Sequence, residues 1–185
     1  MPKKLGSILV IALIGLIIYG AVNAESLCKK YIYPVKYEAA VEKYARENKL
    51  DKYFIFAIIK TESNFKSDAV SEVGARGLMQ LMEDAFDWVK FRMNDERDID
   101  YDDMFNPEYN IQYGSYLIGL LYSEYGDAET ALAAYFMGRG QVNEWLKNSA
   151  YSKDGKTLSE IPSSAAAHYV NKVMNAYKAY YNLYK

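Results

Sequence analysis

The 185-residue chain holds one cysteine and one histidine, and the two scarcities remove much of the usual catalytic repertoire. The lone Cys28 excludes an internal disulfide framework and any cysteine-rich metal site. The lone His168 leaves no histidine-based zinc site and gives a Ser-His-Asp triad little support. No Gly-rich phosphate loop, no internal repeat and no β-type alternation longer than a few residues occurs. No cluster indicates a metal or an organic cofactor, so none is expected. Charge of one sign is also lacking: 22 basic residues stand against 24 acidic ones, a net charge of −2. Lys3 and Lys4 are the only charged residues among the first 24, and without them the balance is −4. A mildly acidic domain is a poor binder of polyanions, which disfavours nucleic acid as a partner.

What is present is apolar. Hydrophobic residues make up 51% and charged residues 25%, enough for one domain with a real core. Tyrosine is over-represented, at 19 residues. Its flat apolar ring and polar tip suit sugar stacking, although most of these positions read as half-buried helix residues.

The N-terminus reads as an export segment. Met1 to Lys4 is short and basic, residues 5–22 carry no charge, and Val22-Asn23-Ala24 places small residues three apart before Glu25. These are the parts of a secretory signal. The same run is just long enough for an uncleaved anchor, and the two lysines would then hold the short end in the cytoplasm. Residues 1–24 are therefore a signal peptide or a membrane anchor, 25–35 a linker, and 36–185 the folded domain. Glu25-Ser26-Leu27 before Cys28 lacks the apolar start and small residue of a lipoprotein site, so Cys28 reads as a bystander thiol.

Beyond the linker the apolar spacing is helical. It predicts helices from about residue 35 to 48, then over 53–62, 78–92, 109–125, 128–137, 141–146 and about 165–183. Residues 64–75, 94–107 and 148–164 read as polar connections. The fold class is all-α.

Glu62 is the notable residue. It ends the dense run Phe54-Ile55-Phe56-Ala57-Ile58-Ile59, where desolvation would raise a carboxyl pKa. A carboxylic acid kept neutral near pH 6 can protonate a glycosidic oxygen. Taken alone, this segment reads more readily as a helix-end glutamate whose head reaches water.

The rest of the chain changes that balance. Ile59-Lys60-Thr61-Glu62-Ser63-Asn64-Phe65 is followed by Gly74-Ala75-Arg76-Gly77-Leu78-Met79-Gln80-Leu81. Asn106-Pro107, Asn110-Ile111 and Gly114-Ser115-Tyr116-Leu117 come next, then Ala133-Ala134-Tyr135-Phe136-Met137-Gly138-Arg139-Gly140. The ordered set resembles the lytic transglycosylases of the soluble-transglycosylase (SLT) type, over roughly residues 36–182. The resemblance implies a goose-type-lysozyme-like helical fold and peptidoglycan glycan strands as substrate. It implies Glu62 as the sole catalytic carboxylate, with Ser63 helping to position the acid and the sugar. Gly77, Met79 and Gln80 match the segment lining the glycan cleft, and Tyr135 the tyrosine whose hydroxyl approaches the acid. Asn110 falls on the helix under the cleft, where a structural role is expected.

These residue types suit the roles. Gly74 and Gly77 let a backbone approach a polymer closely, and Gln80 offers both a donor and an acceptor. Ordinary glycosidases pair two carboxylates. Here Asp68, Glu72, Glu83 and Asp84 all stand in loop or exposed-helix contexts. The implied reaction needs no second one, because the muramoyl C6 hydroxyl attacks the anomeric carbon intramolecularly and leaves a 1,6-anhydromuramoyl end.

Three positions depart from the family pattern. Phe136 stands where asparagine is common, Glu83 where proline is common, and Ala165 where a glutamate is expected before Tyr169-Val170. They leave the acid intact and bear on the polar contacts around the reacting sugar. Two further readings stay open: a peptidoglycan-binding module that no longer cuts, and a lysozyme-type hydrolase. His168 reads as a surface helix histidine.

Overall fold

A computed structural model describes residues 2–185 and divides the chain into two compact units, Met1–Val35 and Lys36–Lys185. In the first, α1 (Pro2–Leu27) continues into a π-helical turn, Cys28–Ile32, closed by the Tyr33 amide donating to the Cys28 carbonyl at 2.8 Å. Ile8 to Ile18 expose their apolar side chains, and Cys28 is a free thiol. No single helix among the described residues is long and apolar enough to cross a membrane. Ile8–Gly20 and Val22–Ile32, bent by 44°, reach that length and composition only as a pair.

The second unit contains α2 (Glu38–Glu47), α3 (Lys52–Glu62), α4 (Glu83–Met93), α5 (Pro107–Tyr125), α6 (Ala128–Met137), α7 (Arg139–Leu146) and α8 (Ser164–Tyr184). Among the described residues the only β-type pairings are isolated bridges, Val70 with Arg76 and Arg76 with Leu81. The all-α reading therefore stands.

α3 is the central helix. Phe54 to Ile59 are all buried, so the helix is covered on every side, as its unbroken apolar run requires. It starts at Asp51, whose carboxylate accepts from the Tyr53 amide at 2.8 Å, a cap contributing about 1 kcal/mol. It packs chiefly on α8, where Tyr180 stacks on Phe56 at 5.7 Å and Tyr177 meets Phe54 edge-on at 5.5 Å. Much of the tyrosine excess thus goes into the α3–α8 contact. α5 begins with an Asn106 cap and Pro107 at its first turn, and it stops at Gly126, whose φ of +71° ends the helix in the left-handed region. Asp127 caps α6 through the Thr130 amide and hydroxyl.

A smaller core lies on the other side of the acid-bearing helix end. Leu81, Phe86, Val89, Ile99, Met104 and Tyr113 form it, with Phe86 and Tyr113 stacked at 5.1 Å.

Two segments differ from the sequence-based expectation. The helix expected over 78–92 begins only at Glu83. Residues 75–82 instead form a tight turn, with Gly77 at φ +76° and Gln80 at φ +48°, both left-handed. The apolar residues there, Leu78, Met79 and Leu81, are buried as a helix pattern would demand, but Arg76 and Leu81 pair with each other across the turn, and Asn110 bonds the Met79 amide and Arg76 carbonyl from outside it. Residues 94–107 are more than a plain connection. They contain a short 3-10 turn, Tyr101–Phe105, held by a capping box in which Asp100 accepts from the Asp102 and Asp103 amides and Asp103 accepts from Asp100.

Candidate functional site

Glu62 is the last residue of α3, because Asn64 at φ +50° and Phe65 at φ +64° turn the chain out of the helix. Its carboxyl is largely desolvated there. The Tyr169 hydroxyl, from α8, donates to Glu62 Oε1 at 2.7 Å. Burial raises the carboxyl pKa to about 7, against smaller opposing effects of the Tyr169 hydrogen bond and the positive charge of Lys172. No other carboxylate acts on it among the described residues. Asp68, Glu72, Glu83 and Asp84 are all exposed.

Two phenols flank the acid. Burial pushes both Tyr169 and Tyr135 well above the usual phenol range, and the nearby Glu62 charge adds to this. Both therefore remain neutral hydrogen-bond donors. Tyr135 arrives from α6 and gives its hydroxyl to the Met79 carbonyl at 2.7 Å rather than to the acid. It thereby ties α6 to the 75–82 turn.

Ser63 is buried, and its hydroxyl donates to the Leu78 carbonyl at 2.8 Å. It fastens the turn to the helix end beside Glu62. Gln80 is partly exposed, with its amide nitrogen committed to the carbonyls of Gly77 at 2.9 Å and Ala69 at 3.1 Å. Its side-chain oxygen remains as the acceptor it can offer outward.

Gly77 and Met79 are both buried. The Met79 side chain is fully buried and belongs to the core. It fits against Gly114, where an added Cβ would sit 2.5 Å from the Met79 sulfur. Gly77 is also buried, and a Cβ there would stand 2.2 Å from the Met104 carbonyl oxygen and 2.3 Å from the Asn110 amide nitrogen. The missing Cβ of Gly77 thus makes room for Asn110 of α5 and for the Met104 carbonyl. Gly74 differs, with φ +89° and open space around its Cβ position.

Asn110 takes the structural role expected of it. It is fully buried, accepts from the Met79 amide at 2.7 Å, and donates to the Arg76 and Met104 carbonyls at 2.9 Å each. His168 is exposed on α8, and Ala165 is exposed in that helix's first turn.

Tyr169 is the residue that sequence reasoning misses. In the sequence it serves only as a landmark after Ala165. Its helical spacing from the apolar Ala166 and Val173, both buried on α8, is the available sign that it faces inward. Phe136 is 45% exposed, and its ring stacks on Tyr169 at 4.6 Å with the planes 17° apart.

The model of the family "Transglycosylase SLT domain" matches residues 39–158. The soluble lytic murein transglycosylase of Salmonella typhimurium is 36% identical over 153 residues, 80% of this chain and 23% of that protein. The membrane-bound lytic murein transglycosylase C of Haemophilus ducreyi is 30% identical over 173 residues, covering 80% of this chain and 46% of its own length. Among solved structures, an inactive mutant of lytic transglycosylase Slt from Pseudomonas aeruginosa superposes with a TM-score of 0.70 at 30% identity, over 83% of this chain and 25% of that one. The 70 kDa soluble lytic transglycosylase of Escherichia coli gives 0.71 at 29% identity, over 81% and 24%. The chain thus spans between about a quarter and a half of the length of these relatives.

Proposed function

This chain belongs to the transglycosylase SLT domain family, and from that premise we propose that it cleaves the β-1,4 bond between N-acetylmuramic acid and N-acetylglucosamine in peptidoglycan, leaving 1,6-anhydromuramoyl ends. The observation that carries the reading is a single buried carboxyl with a pKa near 7 and a phenol fixed on one of its oxygens. Tyr169 occupies Oε1, so the transferable proton sits on Oε2. Glu62 gives that proton to the leaving glycosidic oxygen as the C1–O bond breaks. It then takes the proton of the muramoyl C6 hydroxyl as that oxygen bonds to C1, and no water is consumed. The absence of a neighbouring carboxylate among the described residues suits this route, since there is no second acid to activate water.

Relatives named soluble and membrane-bound bracket the N-terminal segment. We read residues 1–24 as exporting the domain, which then works on the outer face of the cytoplasmic membrane or in the wall. Retention as an anchor would leave the full 21.2 kDa chain in the membrane fraction, and signal cleavage would leave a shorter released form.

The test is the product. The full chain in mild non-ionic detergent is incubated with purified peptidoglycan, and the soluble fragments are read by mass spectrometry. Anhydromuramoyl ends support the proposal. Reducing ends would make the protein a hydrolase, and binding without fragments a module that holds glycan without cutting it.

The same geometry fixes a pH dependence. The first step needs the protonated acid, so the rate falls as pH rises through about 7. The Tyr169 hydrogen bond stabilises the charged form. Tyr169→Phe therefore moves the alkaline limb of the pH–rate profile to higher pH, with a lower plateau because the acid is less firmly held. A limb that stays in place or moves down would show that the hydroxyl does not act on Glu62.

A further inference from the structure

We infer that Phe136 is a platform on which a sugar ring of the glycan stacks beside Glu62, an inference that rests on the site reading above. A single exposed aromatic ring means little by itself. This one is fixed and aimed. Tyr169 covers one face of it in a near-parallel stack at 4.6 Å, and Tyr169 is the residue whose hydroxyl holds the acid. The open side of Phe136 is therefore one ring removed from the acid's own partner. With that stack in place, Phe136 is still 45% exposed.

Little side chain stands at two positions near this pair in sequence. Gly138, two residues on, is exposed and has open space where a Cβ would be. Ala165, one turn before Tyr169 on α8, is exposed and carries only a methyl group. The surface thus holds no charge and no hydroxyl from these three side chains. A flat apolar plate suits the C–H face of a pyranose, which β-1,4 linkage presents in an extended chain. The contact is to ring carbons, so it requires no stem peptide.

The test measures binding with cleavage switched off. Full chains carrying Glu62→Gln, alone or with Phe136→Asn, Phe136→Leu or Phe136→Trp, are titrated with peptidoglycan and with an N-acetylglucosamine hexamer. Circular dichroism of each variant confirms the fold. Phe136→Asn and Phe136→Leu are expected to weaken both ligands about tenfold, equivalent to about 1.4 kcal/mol, and Phe136→Trp to restore most of the affinity. Leucine is apolar but not flat, so its failure separates stacking from mere hydrophobic cover. Equal or tighter binding by Phe136→Asn, or full affinity with Phe136→Leu, overturns the platform, as does an absence of any binding by the parent. The cleavage proposal is scored separately on the Glu62 form. Loss of binding in Phe136→Asn without anhydro ends from the Glu62 form would sustain the platform and sink the reaction, and the reverse pattern would do the opposite.

Discussion

Glu62→Gln is expected to abolish the proposed glycan cleavage and at the same time to make the fold more stable above neutral pH. The first half follows from the role. An amide neither gives up a proton to the glycosidic oxygen nor takes one from the C6 hydroxyl. General acid–base assistance is worth about 10²–10⁴-fold, and here one group supplies both transfers, so a loss of at least about 10³-fold in turnover is expected. The second half follows from linkage. The folded carboxyl has a pKa of about 7 against an ordinary value of 4.5, so the folded state holds this proton more tightly than the unfolded chain does. Below pH 4.5 both states are protonated and nothing is lost. As pH rises from 4.5 through 7 the unfolded chain ionises freely while the buried group resists, and stability drains away. Each tenfold difference in proton affinity is worth about 1.4 kcal/mol, so the loss reaches about 3 kcal/mol by about pH 8. Glutamine is neutral throughout and still accepts from Tyr169. The variant should match its parent at about pH 4 and exceed it by about 3 kcal/mol at about pH 8, measured by urea unfolding under the two conditions. An equal difference at both pH values would mean the carboxyl is not desolvated. Retained cleavage would remove Glu62 from the chemistry.

Which parts of this arrangement are legible in the sequence depends on whether local pattern or remote bonding decides them. α5 and α8 bury faces that repeat at helical spacing, and α3 and α6 carry dense apolar runs, so their apolar residues announce them. Glu62 is legible through the ordered motifs, and its desolvation through the apolar run before it. The turn at 75–82 is not. Its residues bury Leu78, Met79 and Leu81 at spacings a helix would also give, and the deciding bonds come from Asn110, 31 positions beyond Met79. The same distance hides the true service of Gly77 and Met79. Both belong to the join between turn and α5, so a motif that marks the cleft includes residues that build its floor from below. Tyr169 lies 107 positions from the acid it touches, with no periodic signal connecting the two.

Asn110→Ala is expected to cost about 3–5 kcal/mol of stability, because that one amide completes the hydrogen bonding of two backbone segments at once. The side chain is fully buried on α5. Its oxygen accepts from the Met79 amide, and its nitrogen donates to the carbonyls of Arg76 and Met104. Truncation strands the Met79 donor and the Met104 acceptor, at about 1–3 kcal/mol for each group left without a partner, while the Arg76 carbonyl keeps the Leu81 amide at 3.1 Å. Entry of water into the gap, or relaxation of the turn, keeps the sum below the upper limit. Against a usual total of about 5–15 kcal/mol, such a loss leaves the domain marginal. Asn110→Asp sharpens the point. It preserves an acceptor for Met79 but turns a second oxygen toward two carbonyl oxygens, so it should be no better than alanine even though its shape is unchanged. Urea unfolding of the three proteins measures both, and a loss under about 1 kcal/mol in Asn110→Ala would refute the account. The damage also reaches the acid by a defined route. Asn110 holds Met79, the Met79 carbonyl anchors the Tyr135 hydroxyl, and Leu78 in the same turn anchors Ser63 beside Glu62. Cleavage by Asn110→Ala should therefore fall even at temperatures where the variant is fully folded, since the wall facing Glu62 has lost the bond that fixes its position.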